Sequence, residues 1–208
     1  MDTVSLDALQ TSPLLSDTIS IMLGIALSAA CGFRIFVPFL VVSLIGVLSG
    51  ISLPSGFEWL DTQQALILFA VASSIEVLAY YIPWLDNILD TVGTPLAAAA
   101  GAFATAAAIP PEMSPLVQWT IAVIAGGGSA GLIKGLTSVS RVASTATTGG
   151  LANPLLATLE LVAATILSVL AVTLPAIAAI VVLAILIAAI VKVRQIWLKK
   201  KSIPSASS

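Results

Sequence analysis

The sequence predicts an all-α, polytopic integral membrane protein, and three observations predict it. Hydrophobic residues make up 59% of the 208 positions and charged residues only 9%, with a mean hydropathy of +1.12. A soluble domain carries roughly 25% charged residues, so this chain cannot build a water-facing surface. Its apolar residues fall in long runs rather than in alternation, which selects spanning helices over a transmembrane β-barrel.

A spanning helix needs about 20 mainly apolar residues. Residues 1–17 hold Asp2, Asp7 and Asp17 and no Lys or Arg. A cleaved signal needs a positive start, so this segment reads as a short polar leader. The membrane domain spans 18–198, and 199–208 reads as a basic, then Ser-rich, disordered tail. The first apolar tract, 19–51, is longer than one span and holds Arg34 and Pro38. It is expected to be kinked or broken. The second helix is expected over 62–82, stopped by Pro83. A short polar link with Asp86, Asn87 and Asp90 precedes the third, 91–109, which tolerates Pro95 in its first turn. Pro110, Pro111, Glu112 and Pro115 make a rigid turn. The fourth helix is expected over 116–140, followed by a Ser/Thr/Gly interruption up to Gly150. The fifth covers 153–173, and Pro175 opens a sixth that runs to 197. About six helices result, interrupted in the first and the fourth-to-fifth segments.

Five of the eight Lys and Arg lie at the end: Lys192, Arg194, Lys199, Lys200 and Lys201. The positive-inside rule puts that end in the cytoplasm. With six crossings, the amino terminus is expected there too. Small residues recur at helix-contact spacing: Gly24, Ser28 and Gly32; Ala97, Gly101 and Thr105; Gly127, Gly131 and Gly135. Such stripes allow close backbone approach where no hydrophobic effect pulls helices together.

The candidate site follows from charges placed at bilayer depth, which are expensive and kept for a pathway or a partner. Arg34 closes Ser28-Ala29-Ala30-Cys31-Gly32-Phe33. Arg141 opens a run containing Ser144, Thr145, Thr147, Thr148, Gly149 and Gly150, closed by Asn153-Pro154. Glu76 and Glu160 follow, one on the next helix of each half. Three helices per half would run in opposite senses, the layout of a 3+3 inverted repeat with broken helices meeting at mid-bilayer. The predicted substrate-binding residues are therefore Arg34, Glu76, Arg141, Ser144, Thr145, Thr147, Thr148, Asn153 and Glu160. Arginines beside free N–H groups favour an anion. Buried carboxylates favour a cation or a proton. The same four charges could instead pair with one another and fix the fold. Asp86 and Asp90, four apart, suit either a hard cation or a solvated helix cap. Lys134 either lines the same cavity or snorkels to the headgroups.

There is no histidine and only one cysteine, Cys31, which removes the commonest general base and any Cys-rich metal site. No metal, cofactor or enzymatic role is expected. The leading expectation is permeation of an ion or small polar solute through a mid-membrane polar site. A non-transporting structural or assembly subunit is the first alternative, since residues 176–191 carry no polar side chain. A flippase-like protein that binds a lipid headgroup is the second. The partners expected are the lipid bilayer, the unknown solute and a second copy of the chain. Nucleic acid is not among them.

Three segments carry a resemblance. They are Ala30-Cys31-Gly32-Phe33-Arg34-Ile35-Phe36-Val37-Pro38, Glu76 through Asn87, and Ser144 through Pro154. In these the chain resembles the bacterial membrane proteins grouped as domain of unknown function 4126, over roughly residues 19–190. The resemblance implies a polytopic protein of the bacterial inner membrane and no established activity, so it assigns no residue a role.

Overall fold

The computed structural model describes residues 13–50 and 53–201, and every regular element among them is helical. The order is α1 (Pro13–Phe33), α2 (Val37–Ser49), a short 3-10 turn (Ser55–Leu60), α3 (Gln63–Ala79), α4 (Pro83–Ala108), α5 (Pro115–Thr148), α6 (Asn153–Thr173) and α7 (Pro175–Lys201). Among the described residues, four stretches are long and apolar enough to cross a membrane: Ser16–Phe33, Ile88–Ala108, Pro115–Thr148 and Asn153–Thr173. Val37–Ser49, Gln63–Ala79 and Pro175–Val191 are shorter apolar helices. Large apolar side chains face outward along the bundle, among them Leu48, Leu116, Ile124 and Leu151, the last 87% exposed. Hydrocarbon outside and charge inside suit a multi-pass membrane protein.

The tract expected as one long helix is a reversal. Leu53 and Pro54 share a cavity with Ile19, Ser20 and Leu23. Pro54 and Ser55 share another with Ser16, Asp17 and Glu112. The chain after α2 has thus returned to the level where α1 began, here termed the Glu112 end. Pro38 sits in the first turn of α2, where its missing N–H is not needed. The reversal turns the expected first span into two helices, and two expectations change with it. First, α1 and α5 both start at the Glu112 end and descend side by side, Ser28 beside Ser129 and Gly32 against Ile133. The two arginine-bearing helices therefore run in the same sense, not in the opposite senses of the expected inverted repeat. Second, Pro175 also lies beside Ile19 and Leu53, so the 27-residue α7 starts at the Glu112 end and runs to the other. The start of α1 and the end of α7 lie at opposite ends of the bundle, against the expectation of one shared side.

Other boundaries moved for physical reasons. Helix α4 starts at Pro83, so the expected polar link with Asp86 and Asp90 is its first two turns. Helix α5 continues through the Ser/Thr run to Thr148. The interruption shrinks to Gly149–Ala152, where Gly149 and Gly150 take φ of 64° and 86°, values only glycine adopts without strain. Helix α7 reaches Lys201, past the expected start of the tail at 199, and α1 begins inside the expected leader. The rest of that tail and residues 1–12 lie outside the described residues. The expected helix over 153–173 coincides with α6.

The core is a seam of small residues. The π-type segment Ala122–Gly127 within α5 packs on α4 and α1. Ser28 Oγ donates to the Gly126 carbonyl, and Thr105 Oγ1 donates to the Gly24 carbonyl at 3.1 Å. A Cβ built on Gly24 would meet Ala108 at 2.8 Å, and one on Gly32 would meet Ile133 at 2.7 Å. The Gly127, Gly131 and Gly135 stripe is displaced. Gly126 makes the intimate contact, and Gly135 faces open space. A π segment accommodates one extra residue and turns the following face.

Candidate functional site: a buried charge cluster

Arg34 ends the last turn of α1, its N–H bonded to the Ala30 carbonyl at 3.1 Å. The two N–H groups that follow have no partner in the helix they precede. Glu76, from α3, accepts both: Ile35 N–H at 2.7 Å on Oε1 and Phe36 N–H at 3.0 Å on Oε2. A carboxylate at a helix start is also favoured by the helix dipole. Glu76 is thus the tie that holds the reversal, not a salt-bridge partner of Arg34. Glu76→Gln keeps one acceptor oxygen and faces the second N–H with a donor. It should cost about 1–3 kcal/mol and speed hydrogen exchange in the 34–37 segment. Unchanged exchange there would show that the tie is not what orders the turn.

The Arg34 side chain is 1% exposed. Its Nη2 donates to the Ala157 carbonyl at 2.8 Å and lies 3.5 Å from Glu160 Oε2. Its guanidinium carbon stands 3.8 Å from the centre of the Tyr80 ring, while Nε and Nη1 have no partner among the described residues. Arg141, 2% exposed, forks onto Glu160: Nε donates to Oε1 at 3.2 Å and Nη2 donates to Oε2. Its Nη1 donates to Asp86 Oδ1 at 2.5 Å, and its Nε is 3.8 Å from Asp90 Oδ2. Lys134 Nζ donates to Tyr80 Oη at 2.7 Å and to Asp90 Oδ1 at 3.0 Å. All three cations approach one ring, with Arg141 and Lys134 at 4.5 and 4.9 Å from its centre. Cations over an aromatic face gain most when desolvated. Bidentate, charge-assisted pairs are the strongest hydrogen bonds a side chain makes.

The structure thus brings together five of the nine predicted site residues: Arg34, Glu76, Arg141, Asn153 and Glu160. Asn153 Nδ2 donates to Asp86 Oδ2 at 3.1 Å and to Thr145 Oγ1 at 3.3 Å, which places Thr145 at the rim. The other hydroxyls do not line the site. Thr147 and Thr148 donate to the Ala143 and Ser144 carbonyls, each at 2.8 Å. Ser144 meets Thr148 at 3.4 Å. Because the helix continues through them, its own carbonyls absorb the Thr147 and Thr148 donors. Asp86, Asp90 and Tyr80 belong to the cluster although the sequence reading left them outside it, and Lys134 takes the cavity-lining of its two expected positions. Asp86 and Asp90 face Arg141, Lys134 and Asn153. Lys134 points inward instead of snorkelling, in the space left by Gly93, where a Cβ would lie 2.7 Å from its Cε. A signal was present. Asp86 and Asp90 share one helix face, and Lys134 and Arg141 share another two turns apart.

The cluster is also off-centre. Glu160 lies about 10 Å along α6, a helix about 31 Å long at 1.5 Å per residue, so the polar layer sits toward the Gly149 end and not at mid-bundle. Openings reach it from two sides. A polar mouth of about 550 Å³ is lined by Asp90, Ser138, Arg141, Thr145 and Asn153. An apolar cleft of about 650 Å³ ends on Glu76 and Tyr80.

Apolar helices around a buried charge network define a multi-pass membrane protein with a polar interior. The chain belongs to the family described as Domain of unknown function (DUF4126), which matches residues 21–195 and so includes the whole cluster. No curated protein and no solved structure matches it.

Proposed function

We propose that the protein is a small, non-enzymatic permease for an ion or small polar solute, and that the charge cluster is its closed gate. The carrying observation is that Arg34, Asp86, Asp90, Lys134, Arg141 and Glu160 form one network, with openings toward it from two directions. With Glu76 engaged by backbone N–H groups, the three cations face the three remaining carboxylates. A charged solute enters only by displacing an internal partner, so passage and rearrangement are coupled. The positive-inside rule, applied to the basic end of α7, supports a reading in which the Gly149 end and the polar mouth face the cytoplasm of a bacterial cell. The start of α1 then lies on the opposite side.

A second reading has its own support: the carboxylates of the cluster are all partnered, as they would be in a lattice that only holds a structural subunit together. One experiment separates the two. Purified protein in liposomes is given potassium, sodium and chloride gradients in turn, and current is recorded. The permease reading expects a current in at least one gradient, abolished in Glu160→Gln while helix content and monodispersity persist. No current above protein-free liposomes in any gradient, or a Glu160→Gln variant that conducts normally, leaves the structural lattice.

A further inference from the structure

Among the described residues, two charged side chains line the polar mouth, Asp90 and Arg141, and they are not equally available to a visitor. The Arg141 side chain is 2% exposed, and its three nitrogens all donate to Glu160 or Asp86. The Asp90 side chain is 17% exposed, against 0–7% for Arg34, Asp86, Lys134, Arg141 and Glu160. Its Oδ1 accepts from Lys134 at 3.0 Å, whereas its Oδ2 stands 3.8 Å from Arg141 Nε, beyond hydrogen-bonding distance. A solute that enters by this route therefore meets a carboxylate first, and the guanidinium behind it is already occupied.

The neutral groups of the wall agree. On α5, Thr137, Ser140, Thr147 and Thr148 donate to carbonyls of their own helix. Ser138, which lines the mouth, does not. Its buried Oγ has no partner among the described residues, and neither has the buried Oδ1 of Asn153, another lining residue. Asn153 already uses its Nδ2 on Asp86 and Thr145, so what it has left is an acceptor. Buried oxygens without donors call for a reason. A partly dehydrated cation supplies one, because protein oxygens replace the water it sheds. Hard divalent ions demand six or more oxygens in a fuller shell, more than one carboxylate, one amide and one hydroxyl provide. A single positive charge is already held by the same acid: the Lys134 ammonium, shared between Asp90 and Tyr80 Oη. We infer that the polar mouth binds a small monovalent cation, an alkali ion or a primary ammonium, at Asp90 in competition with Lys134. This deepens the permease reading by naming its solute, and it rests on that reading for the passage beyond the mouth.

The test follows thermal unfolding of the full chain in detergent micelles at fixed ionic strength, since a ligand that binds the folded state raises the midpoint. Potassium chloride, sodium chloride and methylammonium chloride each replace N-methylglucamine chloride in turn. A saturable rise is expected with at least one of the three, unchanged when gluconate replaces chloride. A rise with potassium or sodium identifies an alkali ion, and a rise with methylammonium alone an organic ammonium. Lys134→Met frees Asp90 and should lower the half-saturating concentration on the order of tenfold, the scale of a typical coupling between two ligands. Asp90→Asn combined with Lys134→Met removes both partners of one pair, leaves neither charge stranded, and should abolish the rise in a protein that still purifies monodisperse. The inference is overturned by a midpoint that follows the anion, by no cation-specific rise, by an undiminished rise in the double variant, or by unchanged half-saturation in Lys134→Met. Cation binding without current in liposomes counts against the permease reading alone. Current without cation-specific binding counts against this inference alone.

Discussion

Arg141→Met is expected to be among the most damaging single substitutions in this chain. The guanidinium occupies Glu160 with two donors and Asp86 with a third, and it lies within 3.8 Å of Asp90. Methionine fills much of the same volume and removes none of the carboxylates. Three acids then share a buried space with Lys134 and Arg34 alone. Breaking a buried pair from one side costs about 3–5 kcal/mol, because the abandoned charge stays desolvated. The expected readout is a large fall in thermal unfolding temperature in detergent, with aggregation on solubilisation at the severe end. Arg141→Lys should recover little, since an ammonium cannot reproduce a planar fork facing two acids.

A double-mutant cycle sharpens this. If Arg141 and Glu160 act as one unit, Glu160→Gln in the Arg141→Met background should cost far less than in the native protein, because the acid it neutralises has already lost its fork. Coupling within one network commonly reaches about 0.5–3 kcal/mol. Strict additivity, or an Arg141→Met protein within about 0.5 kcal/mol of native as at an ordinary surface position, would show that the network is not what holds these helices.

What was legible in the sequence, and what was not, divides along one physical line. Arg34, Arg141, Glu76 and Glu160 stand out because charge at bilayer depth demands a reason, and that reason survives any error in helix boundaries. Helix α6 is legible because Asn153-Pro154 starts it sharply and an apolar run follows. The beginning of α4 is not, since Asp86, Asn87 and Asp90 look like a solvated link. Only the tertiary position of Arg141 and Lys134 makes two of them interior. The Ser/Thr run after Arg141 misleads for a related reason. Those hydroxyls read as an invitation to leave the helix, yet Thr147 and Thr148 donate to carbonyls one turn back, and the helix goes on. The reversal at Arg34 is half legible. Pro38 announces a break, but that the chain turns back depends on Glu76, forty residues away, accepting the two N–H groups the break exposes. From that one turn follow the parallel run of α1 and α5 and the opposite placement of the described chain ends.

The second large effect lies at the seam, where Gly101→Val is expected to prevent α1, α4 and α5 from closing. A Cβ at Gly101 would meet Ser28 Oγ, the Ala130 Cβ at 2.6 Å and the Gly126 carbonyl at 3.0 Å. Two of these three are not flexible side-chain tips that can swing away. Valine adds two further carbons, so the helices must separate. Separation also breaks the bond from Ser28 to the Gly126 carbonyl and the 3.2 Å contact between Ser28 and Ser129. Overpacking alone costs about 1–3 kcal/mol, and stranded polar groups in a lipid-facing bundle add to it. Gly131→Ala and Gly135→Ala form the contrast. A Cβ at Gly131 would sit 3.6 Å from Ala98, an ordinary contact, and one at Gly135 would meet nothing. Alanine also favours a helix interior over glycine by about 1 kcal/mol in peptides. Size-exclusion profiles and unfolding temperatures should therefore rank Gly101→Val as severe and the two alanine variants as native-like. A four-residue glycine pattern read from the sequence alone assigns the two alanine positions the same weight as Gly101. The π segment at Ala122–Gly127 makes the difference, rotating Gly126 into the seam and the later glycines out of it, so the opposite ranking would mean that Gly131 and Gly135, not Gly101 and Gly126, carry the helix contact.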